Sequence, residues 1–148
     1  MKKACTLSYN NVNNKQGEPF GAIIVKTDTN QIISQAVNTV RVDNDPSCHA
    51  EVNAIRIASR ILHTHDLQGC TLYTSCEPCA MCFGLIYWSN LDHVFYSNTR
   101  QQAAEIGFDD GLICMHKPDS EKQIPFTQIS CDNSHDSFRL WQHATSTT

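Results

Sequence analysis

The sequence predicts a three-layer α/β fold, with helices on both faces of a central mixed sheet of five strands. Two observations carry this expectation. The first is an opening pair of β-rich stretches around a short polar turn, which makes them antiparallel neighbours. The second is the alternation of helical and extended segments that follows, because crossovers between strands favour parallel pairing. The 148 residues, 41% hydrophobic and 18% charged, are enough for one domain that buries ~70% of the surface of its unfolded chain. Ile, Val, Leu and Phe run along the whole length, which excludes wholesale disorder, and a single domain over residues 1–148 is expected.

Taken in order, Met1 to Val12 is read as a short helix covering one face of the sheet. Phe20 to Thr27 (FGAIIVKT) and Gln31 to Thr39 flank Asp28, Thr29 and Asn30, the hairpin turn. From His49 to about His63, Val52, Ile55, Ala58 and Leu62 recur at three-to-four spacing, the mark of an amphipathic helix. Cys70 to Ser75 is β-favouring, and Pro78 then opens CAMCFGLIYWS, a stretch of helical length with proline where a first turn tolerates it. His93 to Ser97 reads as a strand and Arg100 to Ile106 as a short helix stopped by Gly107. The last strand is expected from Ile124 to Ser130, and a closing helix from Ser137 to Ala144.

Composition excludes several function classes. A formal charge of -4 has the wrong sign for a chain that grips phosphates, so nucleic acid is a disfavoured partner. No apolar run approaches the ~20 residues of a bilayer-spanning helix, and none follows Lys2 and Lys3 as an export signal requires. Eight cysteines are too few for the disulfide density of stapled secreted scaffolds. Reduced thiols or metal ligands in a cytoplasmic protein are the reading. Cys5, Cys48, Cys70, Cys114 and Cys131 are scattered, whereas Cys76, Cys79 and Cys82 fall within seven residues.

That cluster stands thirty residues beyond PSCHAEVNAI, which holds His49 and Glu51. If both segments begin helices packed side by side, the His49 imidazole and the Cys79 and Cys82 thiolates converge on one zinc ion per chain, with water at the fourth position. Cys79 and Cys82 are i and i+3, one turn apart on nearly one helix face, and the positive end of the helix dipole favours their thiolates. A rival arrangement adds Cys76 and closes a purely structural Cys3His site. Pro78 argues against it by keeping Glu77 extended and Cys76 on the incoming strand. In an open site Glu51 is the candidate catalytic proton carrier beside the metal-bound water; taken alone it would be a dipole-placed carboxylate worth ~0.3 to 1 kcal/mol.

His49, Glu51, Pro78, Cys79 and Cys82 match H-x-E…P-C-x-x-C, the signature of the zinc-dependent nucleobase deaminases. From about Gly17 onward the chain resembles the bacterial guanine deaminase branch of that superfamily. The resemblance is carried by EPFGAIIV at Glu18 to Val25, TSCEPCAMC at Thr74 to Cys82 with the following IYW at Ile86 to Trp88, GFDD at Gly107 to Asp110 and IPF at Ile124 to Phe126. It implies a cytidine deaminase-like fold and hydrolysis of guanine to xanthine and ammonia, zinc activating the attacking hydroxide while Glu51 moves the proton. It also implies a purine site in which Asn38 meets the purine edge, Asp109 faces the N1-H and exocyclic amine, and Ala50 takes part. Phe20, Trp88 and Phe108 are the candidate walls, although asparagine and aspartate in loops are more often turn formers and an aromatic in an apolar run is usually core.

The resemblance further implies a homodimer, in whose family the carboxyl-terminal segment is exchanged and ends in a pocket-closing aromatic. Here the tail after Trp141 is QHATSTT, without one; Trp141 is left with a dimer-interface or a core position. Three rivals stand beside the guanine reading: a transfer-RNA adenosine deaminase, a cytosine- or triazine-type amine deaminase, and a non-enzymatic protein with a structural zinc. The remaining histidines have no ligand-like spacing.

Overall fold

The computed structural model describes residues 1–113 and 124–146; Cys114, one of the scattered cysteines, lies outside them. In chain order the elements are α1 (Lys2–Asn13), β1 (Gly21–Lys26), β2 (Ile32–Val37), α2 (Val40–Asp43), α3 (Ala50–Leu62), β3 (Cys70–Cys76), α4 (Ala80–Trp88), β4 (His93–Asn98), α5 (Arg100–Glu105), β5 (Phe126–Gln128) and α6 (Asp136–Ser146). The five strands form one sheet in the order β2-β1-β3-β4-β5. β1 pairs antiparallel with both β2 and β3, whereas β3 with β4 and β4 with β5 are parallel. The sheet is therefore mixed, as the opening hairpin and the later crossovers require.

Side-chain alternation along β1 assigns the layers. Ala22 and Ile24 join Ala54, Ile55 and Ala58 of α3 and Ile86 of α4 in the main core. Ile23 and Val25 face the other way, onto Ala4 and Leu7 of α1. A strand buried on both faces reads as a continuous apolar run, which is why GAIIV shows no alternation in sequence. α1 lies so close that a Cβ at Gly21 would stand 2.6 Å from the Ala4 carbonyl oxygen, so only glycine fits there. α6 docks on α1 of its own chain.

The hairpin, α1, α3, α5 and α6 match the expectation to within two residues. Two differences have physical causes. The last strand is Phe126–Gln128 alone, because it pairs with β4 on one side and is short, as edge strands commonly are. α2 was not anticipated: it is a single turn with no fully buried residue, so no amphipathic period marks it.

Candidate active site

The two predicted metal segments meet at the start of two helices. His49 is the residue before α3 and Cys79 the residue before α4; both have extended backbones (φ -67 ψ 156 and φ -71 ψ 173) and neither side chain caps its helix. Both positions normally carry Ser, Thr, Asp or Asn, whose oxygen takes up a free N–H group. Here those side chains are released for another purpose. The thiols therefore sit at the lip of α4 rather than both within it, Cys79 ahead of the first turn and Cys82 inside it.

The His49 Nδ1 atom is 3.5 Å from the Cys79 sulfur and 3.5 Å from the Cys82 sulfur. The three ligand atoms lie within 4.8 Å of one another, the only such trio of His, Cys, Asp or Glu among the described residues. Cys76 is not drawn in. Its sulfur points to the Thr99 carbonyl at 3.7 Å, and it packs with Ala103 and Phe138. Two sulfurs and one imidazole nitrogen are a zinc donor set with one position left over, so the residues fit that metal.

The electrostatics point the same way. The Cys82 thiol donating to Cys79, helped by His49, holds the Cys79 thiol down to about 4. The same contact pushes Cys82 far up, so the pair shares one proton until a cation displaces it. Hydrogen bonding to Cys79 raises His49, against its burial.

Glu51, in the first turn of α3, is buried. Its Oε1 accepts from the Thr74 hydroxyl of β3 at 3.0 Å, and its Oε2 lies 3.5 Å from the Cys82 sulfur. Burial raises its pKa above the ordinary glutamate value, the Cys79 charge adding to it. A carboxyl held by one oxygen, with the other beside the Cys82 sulfur and a raised affinity for a proton, is equipped to take up and return one.

Above the trio is a cavity of about 280 Å³, faced by Asn38, Phe20, Phe108, Asp109 and Asp110 among others. The Asn38 oxygen accepts from the Val40 N–H at 3.1 Å, so its NH2 is the group it has to offer a ligand. Asn11 of α1 locks this corner, donating to the Glu18 and Asn38 carbonyls at 2.8 and 2.9 Å.

Residues 1–98 match the family described as the cytidine and deoxycytidylate deaminase zinc-binding region. The chain belongs to this deaminase family. It is 46% identical over 145 residues to the guanine deaminase of Bacillus subtilis (strain 168), an alignment that covers 97% of this chain and 92% of that one. The crystal structure of guanine deaminase from Bacillus subtilis superposes with a TM-score of 0.73 over 96% of this chain and 90% of the other. A crystal structure of a mutant of NE0047 in complex with 8-azaguanine, 27% identical, gives a TM-score of 0.86 over 97% of this chain and 82% of its own. A tRNA-specific adenosine deaminase of Aquifex aeolicus (strain VF5) is also 46% identical, but over 84 residues, 56% of this chain and 54% of that one. The protein is thus a zinc-dependent hydrolytic deaminase.

Within this deaminase fold, two of the expected substrate contacts, Trp88 and Ala50, lie off the cavity lining and a third, Asp109, lies on it. Trp88 does not line the cavity: it ends α4, nine positions beyond Cys79, which at the helical rise is roughly 13 Å away, and it is 76% exposed. Ala50 is fully buried in the main core beside Ala54 and Leu72, so its methyl group belongs to packing. Asp109 does reach the cavity but is exposed, with its Oδ1 accepting the Gly111 N–H at 2.8 Å. The neighbouring Asp110 is the half-buried carboxylate, and its Oδ2 is buried without a hydrogen bond.

Phe20 and Phe108 do line the cavity, edge to face with centroids 4.9 Å apart. Phe20 also packs on Phe138 at 5.9 Å, and Trp141 backs Phe108 at 5.5 Å while lying under the Arg41 guanidinium at 5.1 Å. Trp141 thus supports the wall from within its own chain. Glu18, Glu77, Arg100 and Asp110 also face the cavity and carried no assigned role in sequence. Glu77 and Asp110 lie inside the motifs TSCEPCAMC and GFDD, but nothing in those strings marks them as inward-facing, and Arg100 has no sequence signal. Arg100 stands between the two carboxylates, 3.8 Å from Glu77 and 3.6 Å from Asp110.

Proposed function

We propose that this deaminase acts on free guanine, releasing ammonia and leaving xanthine. The observation that carries the reading is the sign of the cavity: Asp110, Glu77, Asp109 and Glu18 face it against the single cation Arg100 among its lining residues. Guanine presents adjacent donors, the ring N1-H and the exocyclic amine, and carboxylates are acceptors for both. The Asn38 NH2 complements an acceptor on the ring edge. The likeness to a guanine deaminase along nearly the whole chain supports the same substrate.

In this reading His49, Cys79 and Cys82 hold one zinc ion per chain. When bound there, the metal supplies a Lewis acid that makes water nucleophilic at neutral pH. Phe20 and Phe108 grip the ring and exclude bulk water. Asn38 and Asp110 fix its orientation, so that the amine-bearing carbon faces the trio. Glu51, anchored by Thr74, takes a proton from the attacking water, passes it to the ring nitrogen and then supplies the leaving amine with the proton it needs to depart as ammonia.

The whole chain serves as one deaminase domain in this proposal. Free thiols at all seven cysteines among the described residues suit a reducing cytoplasm. We also propose a homodimer. α4 (AMCFGLIYW) is apolar all round, yet only Cys82 and Ile86 are buried while Met81 and Trp88 are exposed. A helix of that kind is normally covered, and a second copy is the simplest cover.

The test is ammonia release by the zinc-loaded protein from guanine, guanosine, adenine, cytosine and transfer RNA, with light scattering for mass. Turnover of guanine, none of transfer RNA and a mass twice 16.6 kDa are expected. Faster turnover of cytosine or of transfer RNA overturns the substrate. Turnover of none of them favours a structural zinc.

A further inference from the structure

Two thiols outside the metal trio meet each other. Cys5 is buried on α1 and Cys131 half-buried in the segment between β5 and α6. Their sulfurs are 3.6 Å apart across a sequence separation of 126 residues. Neither belongs to the ligand trio and neither lines the cavity.

Their surroundings hold them in register. Asn133 donates to the Lys2 carbonyl at 3.2 Å and to the Thr6 hydroxyl at 3.1 Å, tying the turn to α1 on either side of Cys5. The Cys131 N–H donates to the Ser134 hydroxyl at 2.7 Å, and the Ser134 carbonyl accepts from Asn98 at the end of β4 at 2.6 Å. The pair is thus braced from three elements. By contrast, the Cys76 sulfur faces a backbone carbonyl and that of Cys48 an arginine.

We propose that Cys5 and Cys131 are a site of reversible intrachain disulfide formation, which ties α1 to the segment leading into α6. The oxidant is a small disulfide such as oxidised glutathione. The Cys131 thiolate attacks one of its sulfurs, the glutathione S–S bond breaks, and one glutathione leaves as thiolate and takes up a proton. The Cys5 thiol then loses its proton and attacks the Cys131 sulfur of the mixed disulfide, expelling the second glutathione, which is protonated in turn. Two protein thiols are oxidised to one disulfide and one glutathione disulfide is reduced to two thiols.

The order of attack follows from access. Burial, with the neighbouring Cys131 adding to it, pushes the Cys5 thiol up to about 12, so it is the poor first nucleophile and the closing one. A link over so long a loop restrains the unfolded chain strongly. It also anchors the helix whose Phe138 and Trp141 support Phe20 and Phe108, so the pocket wall is held from behind.

The experiment incubates the zinc-loaded protein with oxidised glutathione and maps its cysteines by mass spectrometry of unreduced digests, with Cys5→Ser and Cys131→Ser alongside. In the unsubstituted protein, peptides containing Cys5 and Cys131 should be joined in a species of monomer mass and separate on reduction. C5S should stop at a glutathione adduct on Cys131, and C131S should leave Cys5 unmodified. The proposal is overturned if both residues stay free thiols in the unsubstituted protein, or if Cys131 remains an adduct there. A link through a different cysteine, or one joining two chains, overturns it as well.

Discussion

The floor of the cavity and its mouth are built by different means. The floor is set by backbone: two helices start side by side, and the residues preceding them, His49 and Cys79, need only leave their caps unmade to converge. The mouth is set by side chains from segments far apart in sequence, through the aromatic cluster Phe20, Phe108 and Trp141 and the loose pairs of Arg100 with Glu77 and Asp110. Rigid elements hold catalytic geometry better than loops do, so chemistry belongs to the floor and substrate choice to the mouth. Substitutions should divide accordingly, the floor reading out in kcat or zinc content and the mouth in KM.

The largest effect is expected from Glu51→Gln, the same shape without the proton carrier. It should lower kcat by ~10²- to 10⁴-fold, the usual worth of a general acid-base group, with zinc content measured at one per chain. Since burial disfavours the glutamate charge, the metal-free variant should melt no lower than the metal-free parent. Near-normal turnover would place the proton transfer elsewhere. Cys76→Ser is the matching control: its zinc content should not change, because that sulfur faces Thr99.

Second comes the mouth, where Asp109 and Asp110 can be separated. Asp110→Asn removes a buried acceptor and should cost about 1.5 to 3 kcal/mol of substrate binding, roughly a ten- to hundredfold rise in KM with kcat far less affected. Asp109→Asn, exposed and turned to Gly111, should stay within about twofold. The opposite ranking, measured on guanine, would return the recognition role to Asp109. A smaller change is expected for Trp141→Ala, which removes one aromatic partner of Phe108, a contact worth about 0.5 to 1.5 kcal/mol. KM should rise several-fold while zinc content and the pH profile hold.

The same division explains what could be read from the sequence. The floor was legible because its geometry follows from local spacing: i and i+3 around Pro78, and a histidine and glutamate at one helix start. The sheet was legible because the hairpin turn and the alternation of elements restrict the topology. The mouth was not. Asp109 and Asp110 are adjacent and chemically identical, and only burial in the folded chain tells them apart. Trp88 looked like a wall because its motif follows the zinc helix, but helical rise carries it to the far end of α4. Arg100 has an ordinary capped helix start around it, with Thr99 and Gln102 forming a capping box, and no local pattern marks a residue that gains its role by meeting Glu77 and Asp110 in space.

The smallest expected effect tests how the floor itself is delivered. Asp45 Oδ1 accepts from the Ser47 N–H at 2.8 Å and the Ser47 hydroxyl at 2.7 Å, closing the turn that leads through Cys48 to His49. These bonds, the side-chain one first, lower the Asp45 pKa below the ordinary aspartate value. A carboxylate with a lowered folded-state pKa adds stability that is fully present above its unfolded pKa and fades as pH falls through the folded one. Asp45→Ala should therefore reduce the melting temperature by a few degrees at neutral pH, and the gap to the parent should close as the medium is acidified below the ordinary aspartate range. Because the Cys48 carbonyl before His49 is also held, accepting from the Asn53 side-chain NH2 at 3.4 Å and from the Thr39 N–H at 3.0 Å, zinc should still bind. A variant that lost zinc at neutral pH would show that the turn, rather than the helix start, sets the position of His49.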